Sequence, residues 1–500
     1  MVDNSFDNLV GESSTSLDPL DWSDYRAQGH RMMDDMFDYM ENIRARPVWQ
    51  PIPQPTRDSV KEAMPLGPSS LEDVHFSFIQ NILPYGVGNT HPGFMGWVHG
   101  GGTPVGMLAE MLGAGLNANL AGRDQMPIEL EKQVVEWMRT LFDFPEKASG
   151  LFVTGTSIAN FISVLVARTA AIGSKVRQQG LDNGDKQLVA YCSKAAHGCV
   201  AQAMDLAGLG IQALQIIPVN NAFEMDTQEL QKRISEDKKA GLSPFFIAAT
   251  AGTVDVGAVD NLDAIADIAE QEKLWFHVDG AYGALGMLAP DIAPRLNGIQ
   301  RADSIAFDFH KWGQVPYDAG FVLIRDGELH KNTFSSPAAY LSRSTKGMAA
   351  GSPWPCDFGP DLSRGFRALK TWFTIKVYGT EKIGQVISKT CALAQYLKNT
   401  IEAEDELELL APVALNIVCF RYRFTDVDIT QINALNSQLV VELQQSGVVA
   451  PSSTTINGCI AIRAAIVNHR TCSEDIDALV NTTITLGKRI AQHSSNRNIS

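Results

Sequence analysis

Five short apolar segments in the middle of the chain are each followed by side chains that can do chemistry. These groups, in chain order, lie at 154–157, 193–197, 250–253, 279–282 and 308–312. They include the carboxylate of Asp279, the imidazole of His197 and the amine of Lys311. A single polar residue at the end of a strand is usually a capping or solvated residue, but five consecutive segments that end in this way favour one shared site.

The turn at 154–157 reads Thr-Gly-Thr-Ser and leads into a helical pattern. Backbone N–H groups and hydroxyls at a helix start bind phosphate, helped by the helix dipole. An ordinary capped helix gives the same pattern, and the absence of GxxxxGK[ST] excludes a nucleotide P-loop. Combined with a lysine for a Schiff base and an aspartate to keep a pyridine nitrogen protonated, the turn meets the requirements of pyridoxal 5'-phosphate (PLP).

These groups need a scaffold that brings the ends of the strands together. The apolar segments are separated mostly by helical patterns, and they lie at 151–153, 187–191, 245–248, 275–278 and 304–307. This alternation predicts an α/β fold with a mainly parallel sheet and helices on both faces. In such a sheet a ligand binds at the carboxyl ends of the strands, where all five groups would meet.

The sequence patterns near the two ends of the chain predict an N-terminal segment and a C-terminal domain in addition to the main sheet. Apolar residues at helical spacing, many of them methionines, predict a helix from Asp21 to Ile43, and a proline-rich connector follows. A long helix is predicted from about Gly365, and helices alternate with strands after Gly384, as in a small α+β domain. We therefore predict an N-terminal helical and extended segment at 1–110, a large PLP-binding domain at 111–385 and a small C-terminal domain at 386–500.

The composition argues against several classes of protein. Of 500 residues, 45% are hydrophobic, too many for an intrinsically disordered chain, and no apolar run is long enough to span a bilayer. With 56 acidic against 41 basic residues, the net charge of −15 argues against binding nucleic acid or an anionic membrane. The acidic, polar start predicts no secretory signal. Seven cysteines without a CxxC pair favour free thiols in a reducing cytoplasm and no metal site.

The sequence around the aspartate and the lysine resembles one enzyme family. The strongest markers are Asp279-Gly280-Ala281-Tyr282, Ala302-Asp303-Ser304 and His310-Lys311-Trp312. Together with segments at 91–94, 127–131, 318–320, 365–372 and 416–421, they resemble the group II PLP-dependent amino-acid decarboxylases. That family includes the aromatic-L-amino-acid, glutamate and histidine decarboxylases, and the first of these is the best match. The resemblance covers roughly residues 20 to 490.

The resemblance implies a role for each group. Lys311 would hold PLP as a Schiff base, Asp279 would pair with the pyridine nitrogen, and His197 would stack on the ring and orient the substrate. The further cofactor contacts that it implies are Thr250 and Ala281 beside the ring and Thr156, Ser157, Asp308 and His310 around the phosphate. It also implies fold type I and a homodimer with shared active sites, in which the N-terminal segment interlocks the two chains.

The chain departs from its relatives in the loop that follows Tyr340. Decarboxylating relatives place a tyrosine there that protonates the carbon from which CO2 has left. No tyrosine lies between Ser342 and Phe366, and Trp354 falls at or beside the expected position. Either Tyr340, another residue or water gives the proton, or the carbanion reacts with oxygen and an aldehyde forms.

The residues expected to form the wall of the substrate pocket also differ from those of the relatives. The pocket residues that the resemblance implies are Trp97, His99, Gly100, Asn117, Asn119, Tyr340 and Trp354. Aromatic decarboxylases present a threonine and apolar bulk where this chain has His99 followed by three glycines, and the segment 117–119. We therefore expect a roomier and more polar pocket, with Trp97 as an aromatic wall.

Three other interpretations fit the sequence less well. His99 and the following glycines resemble the oxyanion loop of lipase-like hydrolases, but the chain has no Gly-x-Ser-x-Gly elbow. A nicotinamide dehydrogenase needs GxGxxG after a strand, and the glycines at 100–106 do not have that spacing. A PLP-fold protein without catalysis would be expected to have lost Lys311 or Asp279, and both are present.

We therefore expect an enzyme that decarboxylates an L-amino acid with an aromatic or other medium-sized side chain to the amine and CO2. The alternative is decarboxylation coupled to oxidative deamination, which gives an aldehyde. The expected enzyme is a cytoplasmic homodimer that uses PLP and binds neither nucleic acid nor membranes.

Overall fold

A computed structural model describes residues 16–181, 187–335 and 344–497 of the chain. The described residues separate into two units, one of residues 16–46 and 50–86 and the other of residues 47–49 and 87–497. The predicted boundaries at 110 and 385 are not tested by this separation, so the three-domain division stays a prediction.

The first unit is helical. It contains α1 (Trp22–Glu41), α2 (Gln54–Ser59) and α3 (Leu71–Ser77), and a π-helical turn (Phe78–Ile82) follows. Asp21, the first residue of the predicted helix, caps α1 by accepting a hydrogen bond from the backbone N–H of Ser23. The imidazole of His75 in α3 lies 3.0 Å from the amide of Gln28 and 3.3 Å from the carboxylate of Asp35, and these contacts tie α3 to α1.

The second unit alternates strands and helices. Its first half contains β1 (Phe94–Met95), α4 (Pro104–Leu116), α5 (Met126–Leu141), β2 (Ser149–Val153), α6 (Thr156–Ile172), α7 (Val176–Gln179), β3 (Leu188–Ser193), α8 (Cys199–Leu206), β4 (Leu214–Ile217), α9 (Thr227–Lys239), β5 (Ser243–Thr250), α10 (Leu262–Glu272) and β6 (Trp275–Asp279). Its second half contains β7 (Ser304–Asp308), β8 (Gly320–Ile324), α11 (Gly327–Phe334), α12 (Arg367–Ala403), β9 (Leu407–Leu409), β10 (Ile417–Tyr422), α13 (Ile429–Gln445), β11 (Ala450–Ile456), β12 (Cys459–Ala465) and α14 (Ser473–Arg497).

Seven strands form the main sheet in the order β2-β8-β7-β6-β5-β3-β4. The pairs from β7 to β4 are parallel, and β8 runs antiparallel to both of its neighbours. The predicted α/β fold with a mainly parallel sheet is therefore confirmed, and all five predicted strands are present.

Helices cover both faces of this sheet, as β5 illustrates. Phe246 and Ala248 pack in a cluster with Val164 of α6, whereas the alternate residue Ile247 packs in a different cluster with Ile265 of α10. Successive side chains of a strand point to opposite faces. The continuous apolar run that predicted β5 is thus a consequence of burial on both sides.

A buried ion pair closes the outer edge of the sheet at β2. The guanidinium of Arg364 lies 2.6 Å from the carboxylate of Glu131, and both side chains are almost fully buried. Arg364 also donates to the backbone carbonyl of Phe152, and the backbone N–H of Phe152 donates to the carboxylate of Glu131. These contacts provide hydrogen-bond partners for backbone groups of Phe152 that would otherwise be unpaired at the edge of the sheet. They also fix the position of β2, which leads into the 154–157 turn.

A second, smaller sheet has the order β1-β11-β12-β10-β9. Its strands pair antiparallel except for β1 and β11, and α13 packs on β11 and β12. The long helix α12 consists of two helical segments that meet at Gly379, which has a φ of 75°. None of the helices in the described part of the chain combines the length and apolar character needed to cross a membrane.

Candidate active site

The side chains that follow the strands meet at the carboxyl end of the main sheet. They surround a cavity of about 380 Å³, within the range of roughly 300–1,000 Å³ that is usual for small-molecule sites. The sequence-predicted residues that line it are Trp97, His99, Thr156, Ser157, His197, Thr250, Asp279, Ala281, Asp308, His310 and Lys311. The structure therefore brings all of the predicted cofactor residues together.

Lys311 lies in the turn that follows β7. Its Nζ is 2.9 Å from Oδ2 of Asp308, at the end of the same strand. Asp308 is buried, and its other oxygen, Oδ1, accepts a hydrogen bond of 2.8 Å from the backbone N–H of Thr156 at the start of α6. The carboxylate thus joins the lysine turn to the predicted phosphate turn, and its charge is balanced by the ammonium group.

His310 is held in one tautomer by its backbone contact. Its Nδ1 accepts a hydrogen bond of 3.0 Å from the backbone N–H of Ala319. Burial lowers the pKa of His310 to about 4, so the ring is neutral near pH 7 and its proton resides on Nε2. Nε2 lies 3.6 Å from Oδ2 of Asp308, and its N–H is available as a donor near the 154–157 turn.

Asp279 ends β6 at the opposite, deeper side of the cavity. Its Oδ2 accepts a hydrogen bond of 3.0 Å from Nδ2 of Asn160, and its Oδ1 accepts one of 3.2 Å from the backbone N–H of Ala281. Burial raises the pKa of Asp279, while the bond from Asn160 and the positive charge of Lys311 oppose that rise. A cationic partner in the cavity would favour the ionised carboxylate further.

His197 and Thr250 occupy the middle of the cavity. Nδ1 of His197 accepts a hydrogen bond of 3.1 Å from the backbone N–H of Cys199, which orients a ring that is otherwise exposed. The backbone N–H of Thr250 donates to the buried carboxylate of Asp260 at 2.7 Å, which fixes the end of β5. The Thr250 hydroxyl is buried and has no hydrogen-bond partner in the structure.

The rim of the cavity is aromatic. The ring of His99 stacks on Phe94 at 5.8 Å, lies 5.9 Å from Trp97 and meets the edge of Tyr317 at 5.5 Å. Tyr317 in turn lies 4.2 Å from the ring of His310. Burial, together with the charge of Lys311, lowers the pKa of His99, so the rim carries a neutral imidazole near neutral pH.

Gly100 was predicted in the substrate pocket but does not line the cavity. Its backbone N–H donates to the carbonyl of His310 at 3.1 Å. A Cβ atom on Gly100 would lie 2.5 Å from that carbonyl oxygen and 2.6 Å from the carbonyl oxygen of Lys311. Glycine is thus required because the backbone of this segment packs directly on the lysine turn.

Three other predicted pocket residues do not line the cavity either. Asn117 ends α4 in the left-handed conformation, and the side chain of Asn119 accepts hydrogen bonds from two backbone N–H groups, those of Ala121 and Arg364. Trp354 is fully buried, with the guanidinium of Arg123 at 4.7 Å from its ring. Tyr340, the remaining predicted pocket residue, lies outside the described residues.

Several cavity residues were not predicted from the sequence. Tyr317, Tyr282, Cys199 and Gly252 line the cavity, and Asn160 contacts Asp279 from behind it. Asn160 lies on the same helix as the 154–157 turn, one turn further along, which is a signal that could have indicated it. Tyr317 follows the lysine by six positions in an irregular segment, and no periodicity indicates where such a side chain lies.

The donors and acceptors of this cavity fit PLP. The cofactor needs a lysine, an anion for its ring nitrogen and donors for its phosphate. Lys311 and Asp279 line the same cavity, and the hydroxyls of Thr156 and Thr250 are buried without a hydrogen-bond partner in the structure. Unpaired buried hydroxyls are uncommon in native proteins, and a bound phosphate and ring hydroxyl would satisfy them.

Comparison with known proteins agrees with this fit. Residues 53–423 match the pyridoxal-dependent decarboxylase conserved domain. The chain belongs to this family. The family assignment confirms the predicted resemblance, the cofactor PLP and the class of enzyme, an amino-acid decarboxylase that releases CO2.

Individual relatives extend over nearly the whole chain. An aromatic-L-amino-acid decarboxylase of Bacillus atrophaeus is 32% identical over 91% of this chain and 94% of its own length. A phenylacetaldehyde synthase of Petunia hybrida is 29% identical over 93% of this chain and 94% of its own. The crystal structure of the glutamate decarboxylase domain of a Vibrio parahaemolyticus protein superposes with a TM-score of 0.84 at 26% identity, covering 95% of this chain and 97% of that one.

Proposed function

We propose that the chain decarboxylates an aromatic L-amino acid to its amine and CO2, with Lys311, Asp279 and His197 as catalytic residues. The observation that supports this most strongly is the placement of Lys311 and Asp279 in one cavity beneath an aromatic rim. When bound, PLP supplies an electron sink for the electrons left on the α-carbon as CO2 departs.

Each residue of the cavity then has a defined task. Lys311 would attach the cofactor through Nζ, and Asp279 would keep the ring nitrogen protonated through its carboxylate. His197 would stack on the ring and orient the carboxylate bond of the substrate, and Thr250 and Ala281 would line the ring. Thr156, Ser157 and His310 would offer donors to the phosphate, and Asp308 links Thr156 to the lysine turn.

The aromatic rim supports an aromatic substrate. Trp97 is 51% exposed in the single chain and His99 is partly exposed, and both line the cavity, so both offer ring surface to a ligand. Aromatic rings in contact contribute about 0.5–1.5 kcal/mol beyond the burial of their area. The 32% identical relative carries the name aromatic-L-amino-acid decarboxylase, which agrees with this choice.

Tyr317 is our candidate for the proton donor. Among the described residues, Tyr282 and Tyr317 are the tyrosines that line the cavity, and Tyr317 is 47% exposed whereas Tyr282 is buried. Burial and the nearby carboxylate of Asp308 raise the pKa of Tyr317, so its hydroxyl keeps its proton near pH 7. Donation of that proton to the α-carbon breaks the O–H bond and forms a C–H bond, and solvent reprotonates the phenolate.

A specific observation favours a second candidate function, the aldehyde-forming reaction. No tyrosine occurs between Ser342 and Phe366, and one relative, 29% identical, is named phenylacetaldehyde synthase. If no group protonates the α-carbon in time, O2 can take up two electrons and two protons to give hydrogen peroxide, and hydrolysis by water then releases the aldehyde and ammonia.

We also propose that the enzyme is a homodimer. The helix α4 exposes Met111, Leu112 and Leu116, each about half or more accessible in the single chain. Clustered exposed apolar side chains usually mark an interface. Light scattering of the purified protein would test this, and a monomer at micromolar concentration would contradict it.

The cytoplasmic location stays part of the proposal. Its support is the set of buried free thiols Cys192, Cys199, Cys391 and Cys419, which are typical of a reducing compartment. Fractionation of cells that produce the protein tests it, and recovery from a secreted or membrane fraction would contradict it.

A product screen tests the proposed reaction. Purified protein with added PLP is incubated with each of the twenty L-amino acids and with hydroxylated aromatic ones, while CO2, amine, aldehyde, ammonia and peroxide are followed together. Equal amounts of amine and CO2 from an aromatic substrate are expected. Aldehyde with ammonia and peroxide would favour the second candidate, and the absence of CO2 from every substrate would contradict both.

A further inference from the structure

A chain of buried hydrogen bonds runs from Asp279 away from the cavity. Nδ2 of Asn160 lies 3.0 Å from Asp279, and Oδ1 of Asn160 lies 2.8 Å from Nε2 of His277. Nδ1 of His277 lies 2.8 Å from the hydroxyl of Ser304, which accepts a hydrogen bond of 2.8 Å from the indole of Trp275. Asn160, His277 and Ser304 are each 1% exposed or less, so water does not replace these bonds.

The strand geometry places these groups in line. Trp275, His277 and Asp279 alternate along β6, so their side chains share one face of the sheet. Ser304 at the start of β7 pairs directly with His277 across the parallel ladder. Asn160 comes from α6, which packs on this face. Trp275, His277 and Asp279, which point to the same face of the sheet, thus each carry a hydrogen-bonding group, and each of these groups has a partner.

The donor-to-acceptor direction of these hydrogen bonds follows from the groups at the two ends of the series, Trp275 and Asp279. The indole of Trp275 can only donate, and an ionised carboxylate at Asp279 can only accept. Asn160 must therefore turn its NH2 group toward Asp279 and its carbonyl oxygen toward His277, which requires the proton on Nε2. Burial lowers the pKa of His277 to about 3, so its ring is neutral, and Nδ1 accepts from the hydroxyl of Ser304. The second hydrogen of the Asn160 NH2 group faces Sγ of Cys199 at 3.1 Å, and this thiol, whose pKa is raised by burial, lies 3.7 Å from Oδ2 of Asp279. The hydrogen bonds from Trp275 to Asp279 are then all consistent in direction.

A neutral Asp279 fits this arrangement less well. A carboxyl proton on Oδ2 would meet the NH2 group of Asn160, and a reversed Asn160 would require the proton of His277 on Nδ1, which leaves the Ser304 hydroxyl without its acceptor. A buried polar group that loses its partner costs stability. The arrangement as a whole therefore matches the carboxylate better than the acid.

We propose that Asn160 and His277 are positioning residues that hold Asp279 ionised and fixed in orientation for the ring nitrogen of PLP. The inference rests on the proposed function of Asp279. Neither residue lines the cavity, so neither contacts the cofactor or the substrate; both act through the carboxylate, opposing the preference of a buried site for the neutral acid.

The test uses variants of Asn160 and His277 in the full-length enzyme. Asn160→Leu removes the donor and acceptor at similar size. His277→Phe does the same while keeping the ring that stacks on Phe246 at 5.4 Å, and His277→Gln restores one donor and one acceptor. Ser163→Ala is the matched control, because Ser163 is a fully buried polar residue of α6 whose hydroxyl bonds only within its own helix, to the carbonyl of Ala159.

Two measurements are made on each variant: the Kd for PLP by titration of the apo protein, and kcat and KM with the best substrate. We expect Asn160→Leu and His277→Phe to weaken PLP binding and lower kcat by roughly 10- to 100-fold, as for the loss of a hydrogen bond to a charged group, with KM little changed. His277→Gln should recover most of the loss, and Ser163→Ala should resemble the wild type.

The decisive arm replaces PLP by its N-methylpyridinium analogue, whose ring nitrogen carries a permanent positive charge. If the network acts by keeping Asp279 ionised, this analogue should bring the two impaired variants close to the wild type loaded with the same analogue. Impairment without such rescue, or variants equal to Ser163→Ala, would overturn the proposal. If Asn160→Leu does not fold, the His277 pair answers the same question. Failure of the wild-type apo protein to bind PLP would instead overturn the proposed function.

Discussion

The two ends of the cavity are built in different ways. At the buried end, Asp279 is enclosed by Asn160, a backbone N–H and the network behind them, and each polar atom has a defined partner. At the rim, the ring of His99 contacts those of Trp97 and Tyr317, and the latter two are about half exposed. The buried end is set before any ligand arrives, whereas the rim leaves ring surface for a ligand to cover.

This contrast separates two properties of the enzyme. Electrostatic groups in a dry, preorganised site act strongly on the charge that develops during reaction. Aromatic surfaces at an exposed rim contribute contacts of modest size that many substrates can share. We therefore expect changes at the buried end to alter the rate of chemistry, and changes at the rim to alter substrate choice and the fate of the product.

The largest effect is expected at Lys311. Lys311→Ala removes the amine that we propose attaches the cofactor, so turnover should fall to the background measured without enzyme. The measurement is the initial rate of CO2 release at saturating PLP, with folding checked by circular dichroism. Normal turnover by this variant would show that the assignment of the lysine is incorrect.

Asp279 should follow. Asp279→Ala removes the carboxylate that we propose faces the ring nitrogen, and we expect kcat to fall by about 10²–10³-fold, the size typical of losing one electrostatic contact with the reacting group. KM should change much less, because Asp279 lies at the end of the cavity away from the rim. A large rise in KM with a normal kcat would place Asp279 in substrate binding and would break the contrast between the two ends.

A smaller effect is expected at Gly100, whose backbone packs on the turn that contains Lys311. Gly100→Ala places a Cβ against the carbonyls of His310 and Lys311, so the lysine turn must shift. A misplacement of about 1 Å can cost on the order of 100-fold in rate, and we expect a fall in kcat of roughly 10- to 100-fold. Gly115→Ala is the matched control, since nothing lies within 4 Å of its Cβ position. Equal rates for the two variants would contradict the close packing of this segment.

The smallest change in rate is expected at Tyr317. A change there should instead alter which product is formed. Tyr317→Phe keeps the aromatic rim and removes only the hydroxyl. If Tyr317 is the proton donor, the amount of aldehyde and peroxide formed per CO2 should rise while PLP binding is unchanged. An unchanged ratio of amine to aldehyde would exclude Tyr317 and leave the donor to Tyr340, to another residue or to water.

The sequence predicts the scaffold well because burial leaves a strong pattern. The apolar runs that became β2, β3, β5, β6 and β7 are buried on both faces, and the polar residues just beyond them therefore meet at one edge of the sheet. Edge strand β4 was not singled out from the sequence. Its residues Gln215 and Ile216 are partly or largely exposed, so it lacks the same continuous apolar signal.

The substrate wall was harder to predict because its residues come from irregular segments. Asn119 and Trp354 are residue types that often line pockets. The Asn119 side chain, however, accepts hydrogen bonds from two backbone N–H groups, and Trp354 is buried with the guanidinium of Arg123 against its ring. Tyr317 lines the cavity because the backbone around it is anchored by two residues of α12, Lys370 to its carbonyl and Arg367 to the carboxylate of Asp318. Such long-range contacts leave no local pattern in the sequence.

The central claim is that the strand ends build a PLP site in which Lys311 carries the cofactor. Borohydride reduction of the PLP-treated protein fixes a Schiff base irreversibly, and mass spectrometry of its peptides then locates the modified residue. We predict a single phosphopyridoxyl group on Lys311 and none when Lys311→Ala is treated in the same way. Modification of a different lysine in the wild-type protein, or of none, would contradict the account.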